Sequence, residues 1–169
     1  MRDLSCLCKR TTAKLPLLHY LCAMEAPQEM FKSIIEEFIP FHKVIGFKLI
    51  EVRENFVSLL IPYKPELIGD ARRGSIHGGV IATAMDAVGG AAGITTLKHY
   101  EDKLSTIDLR VDYLAPGQPR DIITEGTIVK SGSRVIFTRM IAYHDSPDNL
   151  IAEGRGVYSV KRSKPATAQ

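Results

Sequence analysis

The first strongly patterned stretch of the chain is Pro27 to Ile39. Met30, Phe31, Ile34, Ile35 and Phe38 recur at helical spacing and form one apolar stripe, with Lys32, Glu36 and Glu37 opposite. Pro27 suits a first helical turn, and Pro40 is expected to stop the helix. Val44 to Val52 and Phe56 to Ile61 then read as strands, and the Arg53-Glu54-Asn55 break between them predicts a hairpin. Pro62 to Ser75 reads as a loop, punctuated by Pro62, Pro65, Gly69 and Gly74. A long helix of small and apolar residues follows, roughly His77 to Leu97, with Asp86 as its single formal charge. Four strand-like runs complete the pattern: Leu104 to Leu114, Asp121 to Lys130, Arg134 to Tyr143, and Leu150 to Val160. The segments between them, such as Pro116-Gly117-Gln118-Pro119 and Ser131-Gly132-Ser133, have turn compositions. The first run alternates, with Ile107, Leu109, Val111 and Tyr113 against Thr106, Asp108, Arg110 and Asp112.

Helix, two strands, long helix, four strands is the pattern of an α+β domain. Consecutive hairpins make an antiparallel sheet, and that sheet is expected to curl round the one long apolar helix. Gly89, Gly90 and Gly93 are poor helix formers, so their presence predicts close backbone approach rather than chemistry. The expected organisation is an extension over 1–26, disordered or ahead of a later start at Met24 or Met30, then a single domain over 27–162 and a flexible tail over 163–169.

Composition narrows the function. With 169 residues the chain can bury a real core, and 45% hydrophobic with 24% charged residues is ordinary for a globular domain. A net charge of +3 and the lack of a basic run interleaved with aromatics argue against nucleic acid as a partner. Cys6, Cys8 and Cys22 all precede the expected fold, and Cys6-x-Cys8 is the wrong spacing for a zinc or redox pair, so no metal is expected. The apolar run over 76–97 is rich in Gly, Ala and Thr and carries a mid-span charge, so a buried helix fits better than a membrane span. His19 interrupts the short apolar run near the N-terminus, which makes a poor signal segment, and a cytoplasmic location is expected.

The chemistry concentrates between Gly74 and Asp86. A carboxylate deep in an apolar helix is costly and needs a reason. The amides at a helix start can stabilise developing negative charge, and Gly78 leaves room for a carbonyl to approach. These features suggest attack on a carbonyl, with Asp86 as general base or nucleophile.

His77-Gly78-Gly79, with Asp86 nine residues after the histidine, resembles the hotdog-fold acyl-CoA thioesterases of the phenylacetate-pathway, HGG-motif type. The run Ser105-Thr106-Ile107-Asp108-Leu109-Arg110-Val111-Asp112-Tyr113-Leu114-Ala115-Pro116 and the strand order share the resemblance, which spans about residues 40 to 160. It implies hydrolysis of an acyl-CoA without metal or cofactor, in a homodimer or homotetramer. It also implies that the Gly78 N–H polarises the thioester carbonyl, that Asp86 is the base or nucleophile, and that Thr106 orients water or the carboxylate. The resemblance departs at Asp70 and Ala71, where such enzymes often carry Asn or Gln.

Geometry adds a demand. Gly78 and Asp86 are eight residues apart on one helix, roughly 12 Å at the helical rise, and cannot both touch one thioester within a subunit. Either one of them is not catalytic, or the site is built from two chains; a dimer with antiparallel central helices brings Gly78 of one chain near Asp86 of the other, and that arrangement is expected. His77 is read as fixing the loop ahead of the helix, with a role as base the lesser alternative, and Gly79 completes the motif. Arg72, Arg73, Lys130, Arg134 and Arg155 are candidates for the phosphates of CoA, each with a solvated surface charge as its alternative. Two other readings remain open: a hotdog acyl-thioester hydratase or dehydratase, and a non-catalytic acyl-CoA-binding module.

Overall fold

The structure, a computed structural model, describes residues 27–99 and 101–163. The expected extension over 1–26, with all three cysteines, and nearly all of the expected tail lie outside the described residues.

Helix α1 (Pro27–Ser33) runs into a π-helical turn, Ile34–Phe38, and together they bury Phe31 and Ile35. Pro40 does not end the helical structure. It takes the first turn of a second short helix, α2 (Pro40–Ile45), after an extended Ile39, the conformation a residue before proline prefers. Gly46, at φ +87°, closes α2 in the left-handed region that glycine tolerates. The strand expected from Val44 therefore begins later, and Val44 is an exposed helical residue.

Strands β1 (Lys48–Arg53) and β2 (Phe56–Ile61) form the expected hairpin, with Asn55 at φ +64° in its tight turn. The segment expected as a loop holds a 3-10 turn, Pro65–Leu67, and a miniature hairpin of β3 (Ile68–Asp70) and β4 (Ser75–Ile76). Helix α3 (Gly78–Ile94) ends three residues earlier than the pattern suggests. There the Thr95 and Thr96 hydroxyls donate to the Ala92 and Gly93 carbonyls. Strands β5 (Lys103–Tyr113), β6 (Ile122–Ser131), β7 (Val135–Tyr143) and β8 (Leu150–Lys161) follow close to their expected positions.

The six long strands make one antiparallel sheet in the order β1-β2-β6-β7-β8-β5. Helix α3 packs against one face, touching β2, β5, β6, β7 and β8. Ile81, Met85 and Val88 from the helix meet Leu59, Ile122 and Met140 from the sheet in the core. The approach is close. A Cβ on Gly126 of β6 would lie 2.6 Å from the Val88 carbonyl oxygen, and one on Gly93 of α3 would lie 2.7 Å from Leu104. Gly89 is similarly blocked by the Tyr158 hydroxyl, whereas Gly90 has ordinary contacts only. No helix among the described residues is long and apolar enough to cross a membrane.

One irregularity matters for the site. The pairing of β5 with β8 shifts between Thr106 and Asp108, leaving Ile107 in a β-bulge, 59% exposed. Strict alternation groups Thr106 with Asp108, Arg110 and Asp112. The bulge reverses the phase, so that Thr106 joins Leu109 and Val111 on the face toward α3.

His42 gives the fold a pH dependence. Its buried ring packs edge-on to Phe47, and Nδ1–H donates to the Ile35 carbonyl at 3.1 Å. Burial holds its pKa below the ordinary histidine value, outweighing the carbonyl's opposite pull. The unfolded chain therefore takes up this proton first as pH falls. The resulting stability is complete above about pH 6.5 and is lost below it, as pH falls through the folded-state pKa. Urea unfolding from pH 7.5 to 5 is expected to show a loss in wild type that His42→Gln flattens. Parallel profiles would exclude His42 as the source.

Candidate active site

The miniature hairpin β3–β4 sets the start of α3. The His77 N–H donates to the Leu67 carbonyl at 2.8 Å, and the Ile76 N–H to the Gly117 carbonyl at 2.9 Å. His77 itself is the N-cap: its Nδ1 accepts from the Gly79 N–H at 2.9 Å. That bond makes Nδ1 an acceptor and leaves the ring proton on Nε2. The ring thereby fixes the chain at the helix start. It also occupies Gly79, leaving Gly78 as the first helical amide with no partner among the described residues. Tyr113 of β5 donates from its hydroxyl to the Gly78 carbonyl at 2.8 Å, tying the edge strand to the helix start.

Asp86 lies half-buried on the α3 face toward β5 and β8. The Thr106 hydroxyl donates to Asp86 Oδ1 at 2.9 Å. The Tyr158 hydroxyl, from β8, donates to the Asp86 backbone carbonyl at 3.1 Å and lies 3.5 Å from Oδ1. Oδ2 has no hydrogen bond among the described residues. The wall around the carboxylate thus carries hydroxyls and is not purely apolar.

Tyr158 is a functional candidate that the sequence reading misses. It is 1% exposed, in a slot left by Gly89 and Gly156 and closed by Thr138. Burial, then the adjacent Asp86 charge, pushes its pKa well above the ordinary phenol range, so it stays protonated and remains a donor. A tyrosine on an apolar strand face opposite a glycine of the helix is the available signal, because a buried phenol needs a hydrogen-bond partner.

The structure brings Asp86 and Thr106 together and separates them from Gly78 by half the helix. The five cations are scattered. Arg72 and Arg73 flank the turn ahead of α3, exposed and both paired to Asp70, at 3.5 and 3.9 Å. Lys130 and Arg134 sit at the β6–β7 hairpin end, near the C-terminal end of α3. Arg155 alternates with Gly154 and Gly156, which face Met85 and Tyr158 on the helix side, so it lies on the opposite face of the sheet from Asp86.

A six-stranded antiparallel sheet packed against one long helix is the architecture of the hotdog fold. The family model described as the thioesterase superfamily matches residues 73–151. The chain belongs to this superfamily, and its reaction class is thioester hydrolysis. It is 30% identical over 155 residues to the medium/long-chain acyl-CoA thioesterase YigI of Escherichia coli K12, covering 83% of this chain and 99% of that protein. It is 25% identical over 132 residues to mouse acyl-coenzyme A thioesterase 13, covering 75% of this chain and 93% of that protein. Among solved structures it resembles a Shewanella oneidensis protein related to the thioesterase superfamily, with a TM-score of 0.68 and 30% identity, covering 79% of this chain and 95% of that one.

Proposed function

We propose that the protein hydrolyses acyl-CoA to the free acid and CoA, using Asp86 of one subunit and the Gly78 N–H of another. The observation that carries this reading is the held carboxylate. Thr106 and Tyr158 fix one side of Asp86 and leave Oδ2 open for water or for the carbonyl carbon. The open amide of Gly78 then receives the negative charge that forms on the carbonyl oxygen. As general base, Asp86 takes a proton from water, the water oxygen adds to the acyl carbon, and the C–S bond breaks with the proton passing to the departing thiolate; as nucleophile, Asp86 bonds to the acyl carbon as the C–S bond breaks, and water then cleaves the mixed anhydride to the free acid and restores the carboxylate. His77 and Gly79 hold the helix start and stay out of the chemistry.

The second subunit comes through β5. This strand closes one side of the sheet with no further strand beside it among the described residues, and Ile107, Tyr113 and Leu114 at this edge are exposed. Pairing of two β5 strands about a twofold axis sets two α3 helices antiparallel, in a homodimer that can build further to a homotetramer. In that arrangement Arg72 and Arg73 of one subunit approach Lys130 and Arg134 of the other, and these four receive the CoA phosphates. Acyl-CoA is favoured as substrate because YigI and acyl-coenzyme A thioesterase 13 are named for it.

The test is thiol release from short, medium, long and aromatic acyl-CoAs. Turnover that peaks on one chain-length class supports the reading and names the acyl group. Binding without turnover on every member would make the protein a binding module.

A further inference from the structure

Strand β5 touches the central helix through two hydroxyls. Thr106 donates to the Asp86 carboxylate, and Tyr113 donates to the Gly78 carbonyl at 2.8 Å. Beyond the bulge at Ile107 the strand alternates regularly, so Tyr113 shares the α3 face with Leu109, Val111 and Thr106. The first contact fixes a reacting group. The second reaches the residue whose N–H is open.

The helix start needs such a hold. Gly78 and Gly79 have no side chains to pack, and glycine leaves the backbone freer than any other residue. The first amides of a helix also lack intrahelical partners. His77 is tied to Leu67, and Gly79 to the His77 ring. Among the described residues, Tyr113 is the one residue outside the helix that bonds to Gly78 itself. Its ring also lies against the glycine, since a Cβ built there would meet ring carbons at 3.3 and 3.4 Å. Gly78 is half-buried, whereas His77 and Gly79 on either side are exposed.

We propose that Tyr113 is a positioning residue, which holds the Gly78 peptide so that its free N–H stays aimed at the substrate carbonyl. The role rests on the reading of that N–H as the donor to the oxyanion. The phenol acts through the backbone, because its proton is committed to the Gly78 carbonyl. A donor of this kind is effective only when it is in place before charge develops, and small misplacements are costly. Thr106 does the same for Asp86, so one strand orients both groups on α3.

Tyr113→Phe keeps the ring contact and deletes the bond. It is expected to lower kcat by about 3- to 10-fold, the effect of one net hydrogen bond, with KM unchanged. Gly78→Pro supplies the control, because it removes the N–H and keeps the carbonyl that Tyr113 binds. In that background Tyr113→Phe is expected to cause no further loss, since no amide remains to be aimed. Equal losses in both backgrounds would overturn the proposal. So would a raised KM with kcat unchanged, which marks a residue that binds substrate. A second readout needs no substrate. In protein carrying isotopically labelled glycine, the Gly78 amide resonance is the one that Gly78→Pro removes. Its heteronuclear NOE is expected to fall in Tyr113→Phe and to keep the wild-type value in Asp86→Asn. An unchanged NOE in Tyr113→Phe would overturn the proposal whatever the kinetics. Failure of wild type to hydrolyse any acyl-CoA would strike the thioesterase reading instead, and the NOE would still decide whether Tyr113 holds the amide.

Discussion

Asp86→Asn is expected to lower kcat/KM for thioester hydrolysis by roughly 10²–10⁴-fold, the usual contribution of a general base. The substitution keeps size and shape. The amide oxygen can still accept from the Thr106 hydroxyl, and the backbone carbonyl still accepts from Tyr158. Helix α3 therefore keeps its position and the oligomer its mass, while the group that takes a proton or attacks carbon is gone. Circular dichroism and sedimentation should match wild type. KM should change little, because the carboxylate acts on water or on the acyl carbon rather than on the acyl chain or nucleotide. An Asp86→Asn enzyme with wild-type kcat would remove the carboxylate from the mechanism and leave Thr106 and Tyr158 without a catalytic purpose.

Much of this site is legible in the sequence because its parts are local. Gly78 and Asp86 lie on one uninterrupted helix, so periodicity alone shows their separation, and that a site using both would need a second chain. Thr106 is a different case. Alternation along β5 points its side chain away from the helix, and only the family resemblance places it at the carboxylate. The bulge at Ile107 reconciles the two, and a bulge is a property of pairing with β8 that no single strand displays. Tyr158 is hidden for a related reason: its partner is 72 residues away, on the helix packed against its strand. The errors before α3 are of another kind. Pro40 and Val44 obey local rules, but a proline serves equally as a stop or as a first helical residue, and Gly46 decides in favour of a new helix. The β3–β4 hairpin has only two or three residues per strand, too short for any periodicity to register. Arg155 shows the limit for surface charges. Its place in the chain is plain, yet its neighbours Arg110 and Arg139 come from strands set beside β8 by register alone.

Gly78→Pro separates the amide from everything else at the helix start, and a loss of roughly 10²–10³-fold in kcat is expected, as for removal of one oxyanion donor. Proline is normally disruptive in a helix, but Gly78 is the first helical residue, where its N–H has no intrahelical partner and the ring's φ is suitable. His77 before it is already extended, at φ −62° and ψ +129°, as a residue preceding proline must be. A Cβ at this position lies 3.3 Å from the Tyr113 ring, a contact that a few tenths of an ångström of movement relieves. The variant should therefore fold, and its defect should lie in the reaction. Mixing it with Asp86→Asn under conditions that exchange subunits then tests the shared site. A heterodimer carries one site with both Gly78 and Asp86 intact and one with neither. Random exchange makes half the dimers mixed, so activity should recover to about a quarter of wild type from two nearly inactive proteins. If each site were built within a single subunit, every site in the mixture would still lack one group, and no activity would return.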